Sequence, residues 1–215
     1  MSTLDLSEIE DENGFEEKDE KLTLANKLLN SLGEFAEEKR KLRKKIFDLQ
    51  YDLYKDELTG CFNRKWLHQN YLSGKQTFQN SGYIVIVDLD NFKAINDTYG
   101  HIIGDDALRF ISSQLMHLDI NKDYKRQVVR LGGDEFCILL EGCNSDSCFL
   151  DISKKIKSLR DKILQKYFVT DDGCLIRVGF SYGITIFKEN NLFEEAVAIA
   201  DKNMYENKIL NKKSL

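Results

Sequence analysis

Leu131-Gly132-Gly133-Asp134-Glu135-Phe136 lies between two apolar runs, Val128-Val129-Arg130-Leu131 and Phe136-Cys137-Ile138-Leu139-Leu140. Apolar runs of that length on either side of a glycine pair predict the two strands of a hairpin. Its tip then carries two adjacent carboxylates. Neighbouring acids repel and raise each other's pKa, so such a tip is costly unless a cation binds there. A divalent metal removes that cost.

Upstream, Gly82-Tyr83-Ile84-Val85-Ile86-Val87 is apolar and β-branched, which predicts a buried strand. It ends in Asp88-Leu89-Asp90-Asn91-Phe92-Lys93. A carboxylate at the end of a buried strand, near an acidic hairpin, suits Mg²⁺. That ion takes one or two carboxylates and completes its oxygen shell with substrate phosphates. Two such ions can clamp the attacking and leaving oxygens of an in-line displacement. Asp90 has a second reading, as a cap or a partner of the backbone.

With these segments the chain resembles the GGDEF-domain diguanylate cyclases. The hairpin with Arg130-Leu131 before it is the family's namesake. The run from Asp88 through Asn96-Asp97-Thr98-Tyr99-Gly100-His101, followed by Gly104-Asp105, is similar to its metal and nucleotide segment. Asp56-Glu57-Leu58-Thr59-Gly60-Cys61-Phe62-Asn63-Arg64 resembles the domain's opening signature, with Cys61 in place of a usual Leu. Ser181-Tyr182-Gly183-Ile184 and Ala200-Asp201-Lys202-Asn203-Met204-Tyr205-Glu206-Asn207-Lys208 resemble its late strand and final helix. The resemblance covers about residues 54–215.

It implies an α+β, ferredoxin-like palm of the nucleotidyl-cyclase and polymerase kind. The activity implied is condensation of two GTP into cyclic di-GMP with loss of two pyrophosphates. Asp88, the backbone carbonyl of Leu89, Asp134 and Glu135 would hold Mg²⁺, with Mn²⁺ as an alternative. Glu135 would bind the second metal or help deprotonate the 3′-hydroxyl, and these two roles stay open. Phe92, Lys93, Asn96, Asp105, Lys208 and Lys212 would contact the nucleotide. Asn96 and Asp105 would read guanine and reject ATP, because unpaired buried polar groups are expensive. Lys93 and Lys208 would meet phosphate as compact charges, Lys93 next to the chemistry. Lys212 replaces a family Arg, keeping charge but losing the bidentate fork. His101 is read as structural. Many relatives carry an RxxD product-inhibition motif; here its end positions hold Asp123 and Arg126, so the motif is absent.

The 215 residues leave room for one domain plus an extension. A net charge of −5 gives no case for nonspecific nucleic-acid binding. Residues 1–20 hold nine Asp or Glu and predict a disordered acidic tail. Docking of an unidentified regulatory protein is one role for such a tail. Residues 21–54 form the next segment. Within 22–54, Ala25, Leu32, Lys39, Ile46 and Leu53 take a positions of a heptad and Leu28, Phe35, Leu42 and Leu49 take d. That seam predicts a two-stranded parallel coiled coil and hence a homodimer; the alternative is a helix packed on its own domain. Lys39–Lys45, basic except for Leu42, reads as a solvated face rather than a lipid site. The domain proper is expected over 55–215. Its elements should be a helix after Asn63, a strand at 82–88, a helix around 105–118 and the hairpin at 127–141. A helix at 147–166, strand material around 174–187 and a helix from about Leu192 complete it. Five cysteines without a CxxC pair read as reduced thiols. No apolar run suits a membrane span, the N-terminus lacks a signal-peptide pattern, and GTP chemistry points to the cytoplasm. A catalytically silent nucleotide-binding or scaffold module is the alternative function, although degenerate relatives usually lose the acidic groups present here.

Overall fold

A computed structural model describes residues 10–121, 124–142, 145–169, 173 and 175–212, the side chains of 10–20 and 209–212 excepted. The chain divides between Tyr51 and Asp52 into two units.

The first unit consists of helix α1 (Glu10–Tyr54), whose last turn belongs to the second. Its backbone is helical from Glu10, where composition predicts disorder up to residue 20. Glu and Lys are good helix formers, and this stretch adjoins a long helix that can propagate into it. Residues 1–9 lie outside the described residues. The helix runs through Gly33 without a break. Along the heptad seam Leu28, Leu32, Phe35, Leu42, Ile46 and Leu49 are 48–66% exposed.

The second unit begins with β1 (Phe62–Asn63), α2 (Arg64–Trp66) and a π-helical turn at Leu67–Tyr71. Then come β2 (Gly82–Leu89), α3 (Phe92–Tyr99), α4 (His101–Met116), β3 (Lys125–Gly132) and β4 (Glu135–Glu141). It continues through α5 (Asp146–Leu164), β5 (Phe168–Val169), β6 (Leu175–Ile176), β7 (Phe180–Phe187) and α6 (Phe193–Lys212). One sheet has the order β1-β3-β4-β2-β7, antiparallel except where β1 joins β3. From β2 to β7 the trace is β-α-β-β-α-β, the ferredoxin-like palm.

Period-two alternation builds two cores on this sheet. Tyr83, Val85, Val87 and Leu89 of β2 join Phe136, Ile138 and Leu140 of β4 under α4 and α5. Ile84, Ile86, Cys137 and Leu139 face the other way, against Phe193, Ala196 and Ala200 of α6. The helix expected at 105–118 starts earlier, at His101, and a separate α3 precedes it. Gly100, at φ 85°, makes the break between them, a left-handed conformation that glycine takes without steric cost. Cys61 and Cys137 are free and buried. Burial pushes the Cys61 thiol up to about 11, which makes it a poor nucleophile. Cys148 is disulfide-bonded, so the reading of all five cysteines as reduced thiols does not hold there.

Strand β7 is an edge of the sheet. Its outward carbonyls are taken by side chains: Arg160 donates to Phe180 O, Asn207 to Tyr182 O and Asn203 to Ile184 O. That blunts an edge that would otherwise invite another strand. Gly183 lets α6 approach, because a Cβ there would lie 1.9 Å from Ala200 O and 2.6 Å from Met204 N. Gly183→Ala should therefore destabilise the second unit by about 2 kcal/mol in urea unfolding, the scale of an overpacked core. Gly33→Ala meets nothing within 4 Å and should stabilise α1 by about 1 kcal/mol. Equal effects of the two substitutions would contradict this account.

Candidate nucleotide and metal site

Asp88 continues the face that carries Ile84 and Ile86, so its carboxylate emerges on the α6 side of the sheet. The β2–β4 register sets Asp88 opposite Glu135. Glu135 shares its face with Cys137 and Leu139, so it emerges on that side too. Asp134 stands in the adjoining turn, and its carbonyl accepts from Leu89 N–H at 3.4 Å. That bond ties the hairpin tip to the end of β2. From α6, the Lys208 ammonium is ion-paired with the Asp88 carboxylate.

The electrostatics show the strain of collecting acids here. Burial and then the charge of Asp88 push Asp134 above its usual range. Burial, then Asp201, Asp88 and Asp134, do the same to Glu135. Asp201, on α6, is raised by burial and by Asp88. Sequence reading assigned no role to Asp201, although its place seven residues before Lys208, two helical turns away, puts both on one face.

A second missed feature holds the tip in place. Gly133 sits at φ 51°, the left-handed region that favours glycine. Its carbonyl accepts two hydrogen bonds from Arg130, at 2.7 and 3.0 Å. The same guanidinium donates to both oxygens of Asp56, at 2.9 and 3.2 Å. Asp56 also accepts from the backbone and hydroxyl of Thr59. Burial alone would raise the Asp56 pKa, but the Thr59 and Arg130 hydrogen bonds and the Arg130 charge hold it below the ordinary value. Both residues were visible in the sequence, 74 positions apart, without any local sign that they meet.

The guanine candidates lie on α3 and α4. Asn96 Oδ1 is buried and has no hydrogen-bond partner among the described residues. It fills the space where a Cβ on residue 104 would sit, 1.9 Å away, so Gly104 makes room for it. Asp105 follows directly and is half-buried. An orphaned acceptor beside a carboxylate suits a ligand edge rich in N–H donors. Phe92 is partly buried and packs against the core beside Gly104. Lys93 and His101 are exposed. No hydrogen bond joins Asn96 or Asp105 to Asp88; the chain itself links them through Leu89-Asp90-Asn91. Asp90 accepts from Ser181 Oγ on β7, which makes it a structural brace. Arg126 is spent on the α4 C-terminus, donating to Met116 O at 2.5 Å and to Leu118 O. The Lys212 side chain and Asp123 lie outside the described residues.

The donors fit a hard divalent ion in chemistry, being carboxylates that repel one another at one end of the sheet. Among the described residues, however, no three acidic side chains converge tightly enough to hold an ion alone. Oxygens from a substrate would have to complete the shell, as Mg²⁺ commonly requires.

Residues 53–214 match the family model described as "Diguanylate cyclase, GGDEF domain". The chain belongs to that family. Among relatives of the GGDEF chain, the probable diguanylate cyclase DgcE of Escherichia coli is 34% identical over 170 residues, covering 77% of this chain and 15% of that protein. DosC of the same organism is 31% identical over 159 residues, covering 73% and 33%. The GGDEF chain thus spans a third or less of the length of these relatives. Among solved structures, the coiled coil and GGDEF domain of DgcB from Caulobacter crescentus, in complex with c-di-GMP, gives a TM-score of 0.65. It is 22% identical over 84% of this chain and 94% of that one. Diguanylate cyclase SiaD from Pseudomonas aeruginosa, in complex with its activator SiaC, gives 0.59 at 24% identity over 94% and 79%. At these identities both show the fold, a GGDEF palm. No described helix is long and apolar enough to cross a membrane.

The Asp56–Arg130 pair should be energetically coupled. In urea unfolding, Asp56→Asn and Arg130→Gln should give a double-mutant coupling of about 1–3 kcal/mol at pH 7, the scale of charged hydrogen bonds. Because the Asp56 pKa is depressed on folding, the coupling is present above the ordinary aspartate range and is lost as pH falls through the folded value, below about pH 4. A coupling near zero at pH 7 would overturn the pairing.

Proposed function

We propose that this chain is an active diguanylate cyclase that condenses two GTP into cyclic di-GMP and two pyrophosphates. The observation that carries it is the register of Asp88 opposite Glu135, with Asp134 tied to the same strand end. Asp88, Asp134, Glu135 and the Leu89 carbonyl would hold Mg²⁺, or Mn²⁺ in its place. The bound metal would polarise the α-phosphate and lower the pKa of the attacking hydroxyl. Asn96 and Asp105 would accept from guanine N–H groups and hold the base away from the carboxylates. Lys93, Lys208 and Lys212 would meet the phosphates. Glu135 would ligate metal or take the 3′-hydroxyl proton, and burial, then the neighbouring acids, keep its pKa raised toward proton acceptance.

One domain can present only one nucleotide, so two copies must face each other. The open seam of α1 within residues 22–54 supports a parallel two-stranded coil that brings two domains together. Tethering in this way raises the local concentration to roughly the mM range. Residues 1–20 would serve as an acidic docking segment for a regulatory protein, 21–54 as the coil and 55–215 as the cyclase. With the RxxD positions altered and Arg126 engaged on α4, product should inhibit mainly by competition at the active site. GTP as substrate places the reaction in the cytoplasm.

Purified protein given GTP and Mg²⁺ should yield cyclic di-GMP. Asp134→Asn and Glu135→Gln should each lower turnover by at least about a hundredfold, on the scale of losing a group that stabilises the transition state, without lowering thermal stability. Near-wild-type turnover in both variants would show that the site lies elsewhere, and binding without any turnover by the intact chain would favour the silent module.

Deleting residues 1–52 should leave a folded domain whose specific activity is low at nanomolar concentration and rises with concentration. A foreign parallel dimeric coil fused in matching phase should restore it. Full activity of the truncated protein at nanomolar concentration, with sedimentation as a monomer, would remove the coil from the mechanism.

A further inference from the structure

Lys208 is the one described cation in direct ion pairing with this acidic group, and its partner is the strand-end carboxylate. The helix that carries it is firmly mounted. Gly183 lets α6 press on β7, and Asn203 and Asn207 bond the β7 carbonyls on either side. The Lys208 side chain itself is a third exposed. Its four-carbon stem can therefore swing without disturbing the helix. Arg130 and Arg64 also ease Asp134 and Glu135, but Arg130 is committed to Asp56 and Gly133.

We propose that Lys208 is an internal counter-ion that occupies the metal-binding face of Asp88 until a metal–nucleotide complex displaces it onto the triphosphate. Charge sets the order of binding. A divalent ion arriving alone must compete with the ammonium for Asp88, and it finds no third carboxylate close enough to complete its shell. A metal that arrives with a triphosphate brings its own oxygens and also gives the displaced ammonium a new anionic partner. Metal and nucleotide therefore bind with positive coupling, and by linkage each raises the affinity of the other by the same factor. Free metal therefore binds weakly without nucleotide, and the carboxylates remain compensated between turnovers. This makes Lys208 more than a phosphate contact: it sets the order in which the site fills. The proposal rests on the metal reading above, not on turnover.

The test is a Mn²⁺ titration of the full-length protein without nucleotide, followed by electron paramagnetic resonance of free Mn²⁺, for wild type, Lys208→Gln, Lys208→Met and Lys208→Arg. Loss of the charge in the Gln and Met variants should tighten Mn²⁺ binding about tenfold, while the Arg variant stays near wild type. Repeating the titration with a non-hydrolysable GTP analogue should show a large gain in Mn²⁺ affinity for wild type and a much smaller one for Gln and Met. Circular dichroism checks that each variant is folded. Unchanged or weaker Mn²⁺ binding in both uncharged variants, or no Mn²⁺ binding by any protein, overturns the proposal. Tightened binding in a protein that makes no cyclic di-GMP would uphold it while removing the cyclase reading.

Discussion

Strands β2 and β4 pair without a slip from Gly82 opposite Glu141 to Asp88 opposite Glu135. Side chains alternate with a period of two, so a shift by one residue would send the apolar set of a strand to the wrong face. Here both faces are buried, one under α4 and α5 and the other under α6. Each face therefore enforces the same register, and the register in turn delivers Asp88 and Glu135 to one side at one end. These carboxylates are placed by the packing of the apolar residues beneath them.

Bringing acids together in this way has to be offset inside the molecule. Two of the cations that do it act by different means. Arg130 uses the whole guanidinium fork, binding Asp56 on one side and the Gly133 carbonyl on the other, so it fixes the bend that carries Asp134. A lysine could not make both sets of bonds. Lys208 instead sets a single compact charge against Asp88. The planar fork suits a position that must hold its shape, and the point charge suits a lone carboxylate.

Close backbone approach recurs where the elements meet. Gly183 admits α6 to β7, and Gly104 admits Asn96 to α4. In both places a methyl group would collide with a neighbour at 1.9 Å. The first contact mounts the helix that bears Lys208; the second buries an acceptor that has no partner among the described residues. Burying a polar atom unpaired costs stability, and such costs are commonly carried at sites that bind something.

The sequence by itself determined the strand–turn–strand around Gly132-Gly133, the strand ending at Asp88 and the long amphipathic N-terminal helix. These rest on local signals: alternation, glycine in a turn and a heptad repeat. It also marked Asp88, Asp134 and Glu135 as one group, because like charges near buried strands ask for a cation. The break at Gly100 was not legible, since glycine between two short helical stretches carries no sign of which way the chain turns. Nor were the pairing of Asp56 with Arg130, the bond from Ser181 to Asp90 and the ion pair of Lys208 with Asp88, which join residues 74, 91 and 120 positions apart. Only the tertiary structure decided these. A side chain's partner across such distances depends on which strands become neighbours and which face each residue shows, and no local propensity records that.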